Sequence, residues 1–234
     1  LSRIVIGNLA IQIRVNSCNS WQRPVDFIQL NREFYDSFAA EFSGSRAAIQ
    51  AGIRRALAML DCASVLDVGC GDGRVSKVLP VNARYIGLDF SEKLIGRVAA
   101  SPASFVLADV SGPLPIAAGA FPAVLCFAVL HHLPERESFM RELARVMKPG
   151  GRLALSVWQI THSGRMRKKI VHDLGGGDYV LSWERGGRGE RFVHEVSEDE
   201  MKRLAHSASL SIVEMFRSDG RSNDLSLYAI LEAR

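Results

Sequence analysis

The 234-residue sequence predicts a doubly wound α/β fold, in which a mostly parallel seven-stranded sheet carries helices on both faces, an antiparallel last strand and an N-terminal helical cap. Three observations carry the prediction. From residue 64 onward, short apolar runs alternate with helix-like segments, the pattern of βαβ units. The runs are almost continuously apolar, as strands buried on both faces are. The last two runs have no long helix between them, which an antiparallel pair allows and a parallel crossover does not.

In chain order, residues 1–25 have weak periodicity and hold Asn16-Ser17, Asn19-Ser20 and Pro24, so they read as a loosely ordered leader. Over 26–60, Phe27, Leu30, Phe34, Phe38 and Phe42 recur at the three- and four-residue steps of one helix face. Ser43-Gly44-Ser45 interrupts that face, and Ser45 is placed to cap a second helix through Leu60. Strands are expected at Ser64–Val68, Arg84–Leu88, Ser104–Ala108, Ala123–Leu130 and Arg152–Trp158, with helices at 73–79, 91–100 and 134–147. Lys148-Pro149-Gly150-Gly151 stops the last of these helices. Residues 159–192 break the rhythm: seven glycines, little apolar periodicity, and seven Lys/Arg against four Asp/Glu between Arg165 and Arg191. They read as a basic insert in a domain running from 26 to 234. The rhythm resumes with a helix at 197–208, opened by a Ser197–Glu200 capping box. A strand at 210–216, a turn at Ser218-Asp219-Gly220 and a strand at 226–232 complete the pattern.

Composition narrows the class. With 47% hydrophobic residues and a net charge of only +4, the chain is not predominantly disordered. Cys18, Cys62, Cys70 and Cys126 are scattered and form no CxxC, which argues against a disulfide scaffold and for a reducing, cytoplasmic setting. No apolar run approaches the roughly 18 residues of a membrane span. The opening residues, broken by Arg3, Asn8, Gln12 and Arg14, lack a signal peptide's apolar stretch. His131 and His132 are adjacent and no Cys/His cluster has zinc spacing, so no metal is expected.

The most informative stretch is Asp67-Val68-Gly69-Cys70-Gly71-Asp72-Gly73, where a strand ends in GxGxG and a helix is due to begin. Glycines there allow a tight turn and bring backbone N–H groups close to a ligand. Asp89 ends the next strand, 22 residues past Asp67, where an acid accepts both hydroxyls of a ribose. Dinucleotide sites use GxGxxG instead. An acid beside the loop, Asp67, repels a pyrophosphate and suits a cation.

This stretch resembles motif I of the class I S-adenosylmethionine-dependent methyltransferases of type 11, a family with a Rossmann-like fold. The likeness extends over most of 30–232. Asp89-Phe90-Ser91 resembles the ribose-binding motif, with Phe90 beside the adenine. Ala108-Asp109-Val110 resembles the next motif, whose acid takes the adenine amino group. Phe121 to His132, including Phe127, resembles the fourth-strand motif. A cofactor set of Tyr35, Arg46, Asp67, Gly69, Cys70, Gly71, Gly73, Asp89, Phe90, Asp109, Val110 and Phe127 follows, with Tyr35 and Arg46 closing over S-adenosylmethionine.

Three further segments resemble the subfamily that esterifies the carboxymethyl group on the wobble uridine of tRNA. They are Phe34 to Arg46, Ala128 to His132, and Arg191-Phe192-Val193-His194 followed by the acids Glu198–Glu200. The likeness departs near the C-terminus, where Ser222-Asn223-Asp224-Leu225 stands in place of an aromatic. A carboxylate acceptor is ionised at neutral pH and needs positioning, not a base; Arg191 and His194 are the candidate clamp. For a hydroxyl acceptor, His131 is the candidate base, with His132 turned inward as a structural residue. No Asn/Asp-Pro-Pro-Tyr tetrad and no Pro-Cys dipeptide is present, against amino-group and cytosine-C5 chemistry. The basic insert reads either as a phosphate-contacting surface for tRNA or as a solvated loop, and Trp158 and Trp183 flank it as stacking or packing residues. The resemblance also implies that a small activator protein can accompany the enzyme. Two other readings stand beside the tRNA enzyme: a small-molecule methyltransferase of metabolite biosynthesis, and a non-catalytic cofactor-binding subunit.

Overall fold

The computed structural model describes residues 3–6, 9–12, 26–45, 48–98 and 103–234. A backbone hairpin comes first, β1 (Arg3–Ile6) against β2 (Leu9–Gln12). The rest of the leader expected over 1–25, and Arg46, lie outside the described residues.

Three helices follow: α1 (Phe27–Ser37), α2 (Ala39–Gly44) and α3 (Ala51–Leu57). Asp26 opens α1 by accepting the N–H groups of Ile28 and Gln29, each at 3.0 Å. Ser45 does not open the next helix. Its backbone is helical, and its hydroxyl donates to the Phe42 carbonyl at 2.7 Å, so it closes α2. The extended backbone that an N-cap needs belongs to Gln50.

The chain then runs through β3 (Ser64–Val68), β4 (Arg84–Asp89), α4 (Glu92–Ile95), β5 (Ser104–Leu107), β6 (Phe121–Phe127), α5 (Arg136–Val146) and β7 (Met147–Trp158). The helices expected at 73–79 and 91–100 are far shorter. The first is a 3-10 turn over Arg74–Val78, two residues before Pro80. The second is the single turn α4, which Gly96 caps.

The insert is not a loop. It holds the short α6 (Gly164–Arg167) and three antiparallel strands, β8 (Ile170–Gly175), β9 (Asp178–Trp183) and β10 (Gly189–His194), in the order β10-β9-β8. Gly175, Gly176 and Gly177 all have positive φ and make the first reversal, and Gly186 and Gly187 lie in the second. These five glycines of the insert lie at hairpin turns. After α7 (Glu198–Ser207), whose Glu200 N–H is capped by the Ser197 hydroxyl at 3.1 Å, β11 (Leu210–Ser218) and β12 (Ser226–Ala233) end the chain.

The main sheet has seven strands in the order β11-β12-β7-β6-β3-β4-β5, with β12 antiparallel to both neighbours and every other pair parallel. Successive residues serve opposite layers, as the two-residue period of a strand requires. Leu66, Val124, Leu153 and Leu155 meet Phe139, Met140 and Leu143 of α5 and Met201 and Leu204 of α7. Val65, Leu125, Ala154 and Ile230 meet Ile53 and Ala56 of α3. That double burial explains the unbroken apolar runs of the central strands; β5, at the sheet edge with Val106 and Leu107 exposed, is the exception.

Candidate active site

Strand order reverses between β3 and β6, and the crevice above their C-terminal ends is where an open α/β sheet binds ligands. The loop after β3 is held by its neighbour: the Gly69 and Cys70 N–H groups donate to the Leu88 carbonyl at 2.7 and 2.9 Å. Gly69 has φ +78, and a Cβ there would lie 2.1 Å from Val129 Cγ2. Gly71 has φ +57 and meets nothing within 4 Å, so its surface stays open to a ligand. Its N–H donates to Asp89 Oδ2 at 2.7 Å, while Asp89 Oδ1 accepts from the Ser91 N–H at 2.9 Å.

Asp67 and Asp89 are both buried and both line the crevice. Burial pushes the Asp67 carboxyl up to about 7, against the hydroxyl of Tyr85 that donates to it at 2.6 Å. Burial likewise pushes Asp89 up to about 6, against the N–H groups it accepts. Phe42, Phe90, Leu94, Val110, Phe127 and Val129 supply apolar walls. Two desolvated carboxylates in an apolar crevice suit a ligand that brings its own cation and hydroxyl donors, as S-adenosylmethionine does.

Of the cofactor set expected from the sequence, Tyr35, Asp67, Gly69, Gly71, Asp89, Phe90, Val110 and Phe127 line the crevice. Cys70, Gly73 and Asp109 do not. Cys70 is buried with its sulfur against Gly87, and Gly73 faces the Phe105 ring. Asp109 is half exposed and already engaged, with Arg32 at 2.7 Å and with the Ser111 N–H and hydroxyl. Phe42, Ala128, Val129 and His132, from the segments that carry the subfamily likeness, also line it, and Arg74, Val75, Leu94 and Leu133 join them without having been singled out. Ala128, expected inside a strand, has φ +60, a left-handed conformation just past the end of β6.

The two histidines lie the opposite way round from the expectation. Leu130–His132 forms a 3-10 turn, which sends consecutive side chains in different directions. His131, the expected base, is wholly buried, its Nδ1 accepting the Trp158 N–H at 3.3 Å and its ring 4.6 Å from the indole. His132, the expected structural residue, faces the crevice. It bonds the Tyr35 hydroxyl at Nε2 and the Phe192 carbonyl at Nδ1, both at 2.8 Å.

The expected clamp also divides. His194 lies between two carboxylates, Asp178 at 2.6 Å and Glu200 at 2.8 Å, so neither ring nitrogen is available to a ligand. Those two bonds raise its pKa above 6.5 despite burial. Arg191 is different. It is 3% exposed, with its guanidinium 4.5 Å from the Trp158 ring centre, 4.9 Å from Phe34 and 5.6 Å from Trp183. Its Nε and Nη1 have no hydrogen-bond partner, and among the described residues no carboxylate pairs with it. It forms one wall of a cavity of about 560 Å³ that Trp158, Trp183, Arg165, Lys168, Lys169 and Arg185 also line. Burial, with the Arg191 and Arg165 cations, holds the Lys169 ammonium below its ordinary pKa. Tyr35 lines the crevice, and the ring of its neighbour Phe34 forms part of the Arg191 surroundings. A buried cation without an anion calls for one from outside.

Comparison with known proteins agrees with this geometry. Residues 66–155 match the methyltransferase-domain family. A protein of Encephalitozoon cuniculi named as a methyltransferase is 32% identical over 207 residues, 85% of this chain and 93% of its own length. The tRNA (carboxymethyluridine(34)-5-O)-methyltransferase of Arabidopsis thaliana is 32% identical over 64% of this chain, a match spanning 38% of that longer protein. The ubiquinone biosynthesis O-methyltransferase of Dechloromonas aromatica is 30% identical over 64% of this chain and 66% of its own. Among solved structures, a chain of the complex between the Haloferax volcanii Trm112 methyltransferase activator and its methyltransferase superposes with a TM-score of 0.68 at 19% identity. It covers 86% of this chain and 96% of that one.

Proposed function

Because the chain belongs to the class I S-adenosylmethionine-dependent methyltransferases, we propose that it esterifies a carboxylate held on Arg191, and that the carboxylate is the carboxymethyl group of a wobble uridine in tRNA. One observation carries the proposal: a buried guanidinium, ringed by three aromatic residues and lacking a carboxylate, opens into a basic cavity beside the cofactor crevice. The chain's own residues divide the work. Asp67 and Asp89 take the cofactor's cationic and ribose ends, Phe90 and Val110 flank its base, and Arg191 fixes the acceptor by a charge-assisted bond. The cofactor supplies a methyl group on a sulfonium: a carboxylate oxygen forms the new O–CH₃ bond, the C–S electron pair stays on sulfur, and no proton moves. Such a transfer needs alignment and exclusion of water, which the buried crevice supports. Arg165, Lys168, Lys169 and Arg185 are then the phosphate contacts.

A second reading is favoured by the ubiquinone relative: a free carboxylic or phenolic metabolite as acceptor. The test is methyl-labelled cofactor incubated with bulk tRNA, with and without cell extract. Label entering tRNA and released by mild base supports the wobble-uridine ester, and that binding should weaken steeply with salt. Label appearing only when extract is added supports the same acceptor with a small activator partner. Label entering only small molecules assigns the metabolite reading.

A further inference from the structure

The loop between Asp67 and Gly73 has spent most of its own donors. The Gly69 and Cys70 N–H groups donate to the Leu88 carbonyl, that of Gly71 to Asp89 Oδ2, and that of Gly73 to the Cys70 carbonyl at 3.1 Å. An anion entering the crevice therefore depends on a side chain. Among the residues that line it, Arg74 alone carries a permanent positive charge. Arg74 opens the 3-10 turn behind the loop, and its Nη1 is buried without a hydrogen-bond partner. Among the described residues no ion pair engages it. Burial holds its pKa below the ordinary value, although Asp72 and Asp67 pull the other way.

We propose that Arg74 binds the α-carboxylate of S-adenosylmethionine, and that Arg74 and Asp67 together make the crevice select a ligand with an intact amino-acid tail. The chemistry is one of charge. The cofactor carries two cations, the sulfonium and the α-ammonium, and a single anion. Asp67 and Asp89 suit the cations and the ribose hydroxyls and repel the carboxylate. Ammonium and carboxylate share one carbon atom, so they need an acid and a base from neighbouring positions, and Asp67 and Arg74 stand at the two ends of one loop. A guanidinium grips a carboxylate through two parallel N–H bonds, and in a desolvated crevice that pair is stronger than it is in water. A ligand without the carboxylate leaves Arg74 unpartnered and sets a free ammonium against it.

The test is binding, not turnover, and it removes each partner in turn. The full chain is titrated by calorimetry with S-adenosylhomocysteine and with its decarboxylated analogue, which keeps the amine and lacks only the carboxylate. Wild type should bind S-adenosylhomocysteine about tenfold tighter or more. Arg74→Met should weaken S-adenosylhomocysteine by about tenfold to a hundredfold and leave the analogue unchanged or tighter, so that the preference disappears. Arg74→Lys, which keeps the charge without the fork, should fall between. Thermal melting of each variant checks that it folds, and Arg74→Lys decides alone if the methionine variant does not: a loss confined to S-adenosylhomocysteine supports the role. Equal losses for both ligands would make Arg74 a residue that only shapes the loop, and the proposal is overturned. It is overturned too if wild type shows no preference, or if the preference survives in Arg74→Met, which would place the carboxylate on another group.

Discussion

Asn31 and Phe192 hold each other in both directions: Asn31 Oδ1 accepts the Phe192 N–H at 2.9 Å, and Asn31 Nδ2 donates to the Phe192 carbonyl at 3.2 Å. A side chain of α1 thereby occupies the ladder position that a further strand would take on β10, the edge of the insert's sheet. The same Nδ2 donates to the His132 carbonyl at 3.3 Å. One buried amide therefore joins the helix that covers the crevice, the strand that carries Arg191 and the turn that carries His132.

Asn31→Ala strands the Phe192 N–H in a buried setting and should cost about 2–3 kcal/mol of stability. Urea unfolding measures that cost. Amide exchange along α1 should quicken before the rest of the domain opens, and cofactor affinity should fall although no crevice residue has changed. Unaltered exchange in α1 would mean that the aromatic contacts of Phe27 and Phe34 dock the helix by themselves.

The two loop glycines separate folding from binding. Gly69→Ala drives a methyl group into Val129 and strains a left-handed backbone, so it should destabilise the domain by about 3 kcal/mol or more. Gly71→Ala meets no protein atom and should cost only about 1 kcal/mol, yet it projects into the space the cofactor needs. Melting curves and cofactor calorimetry on the pair should show an unstable protein in the first case and a folded, non-binding one in the second.

Asp67 is a buried carboxyl whose ionisation works against the fold. Its native pKa is about 7 against 3.8 for an unperturbed aspartate, so the native state resists its ionisation. Stability from this group is full below pH 4 and is lost as pH rises toward 7. Asp67→Asn keeps the Tyr85 hydrogen bond and removes the buried charge. At pH 8 the ligand-free variant should be more stable by on the order of 2–4 kcal/mol, while cofactor binding falls by about tenfold or more. Equal stabilities at pH 8 would place the carboxylate in contact with water.

His194 ties the insert to the main domain, because Asp178 belongs to β9 and Glu200 to α7. The His194 pKa is raised, so its contribution is complete below pH 6.5 and is lost as pH climbs through the higher native value. Glu200, paired also with Arg136 at 3.1 Å, has a lowered pKa, and its contribution disappears on acidification below about 4.5. His194→Ala should cost about 2–3 kcal/mol at pH 6 and less at pH 9, flattening the alkaline side of the stability profile. An unchanged profile would mean that the imidazole is neutral throughout.

Much of this molecule was legible along the chain. The two strands and the glycine loop between Val65 and Asp89 are read within 25 residues, because a parallel strand pair and its turn are local; which loop residues face the crevice is not. The apolar runs gave the strands, and their burial on both faces accounts for their lack of alternation. The three strands inside the Gly-rich insert were not foreseen for a physical reason: glycine marks both an open loop and a hairpin turn, and only pairing between β8, β9 and β10 tells them apart.

The sequence by itself determined the sheet, the glycine loop between Asp67 and Gly73, and the methyltransferase family, since backbone geometry and short-range spacing suffice for these. Only the tertiary structure decided which histidine faces the crevice, that His194 is spent on Asp178 and Glu200, and that Arg191 lies in an aromatic cage without an anion. Those roles depend on groups brought together from distant segments, 97 residues apart for Tyr35 and His132. A residue's hydrogen-bond partners and its access to water are properties of that assembly, and they decide whether a charge is satisfied internally or left to meet a substrate.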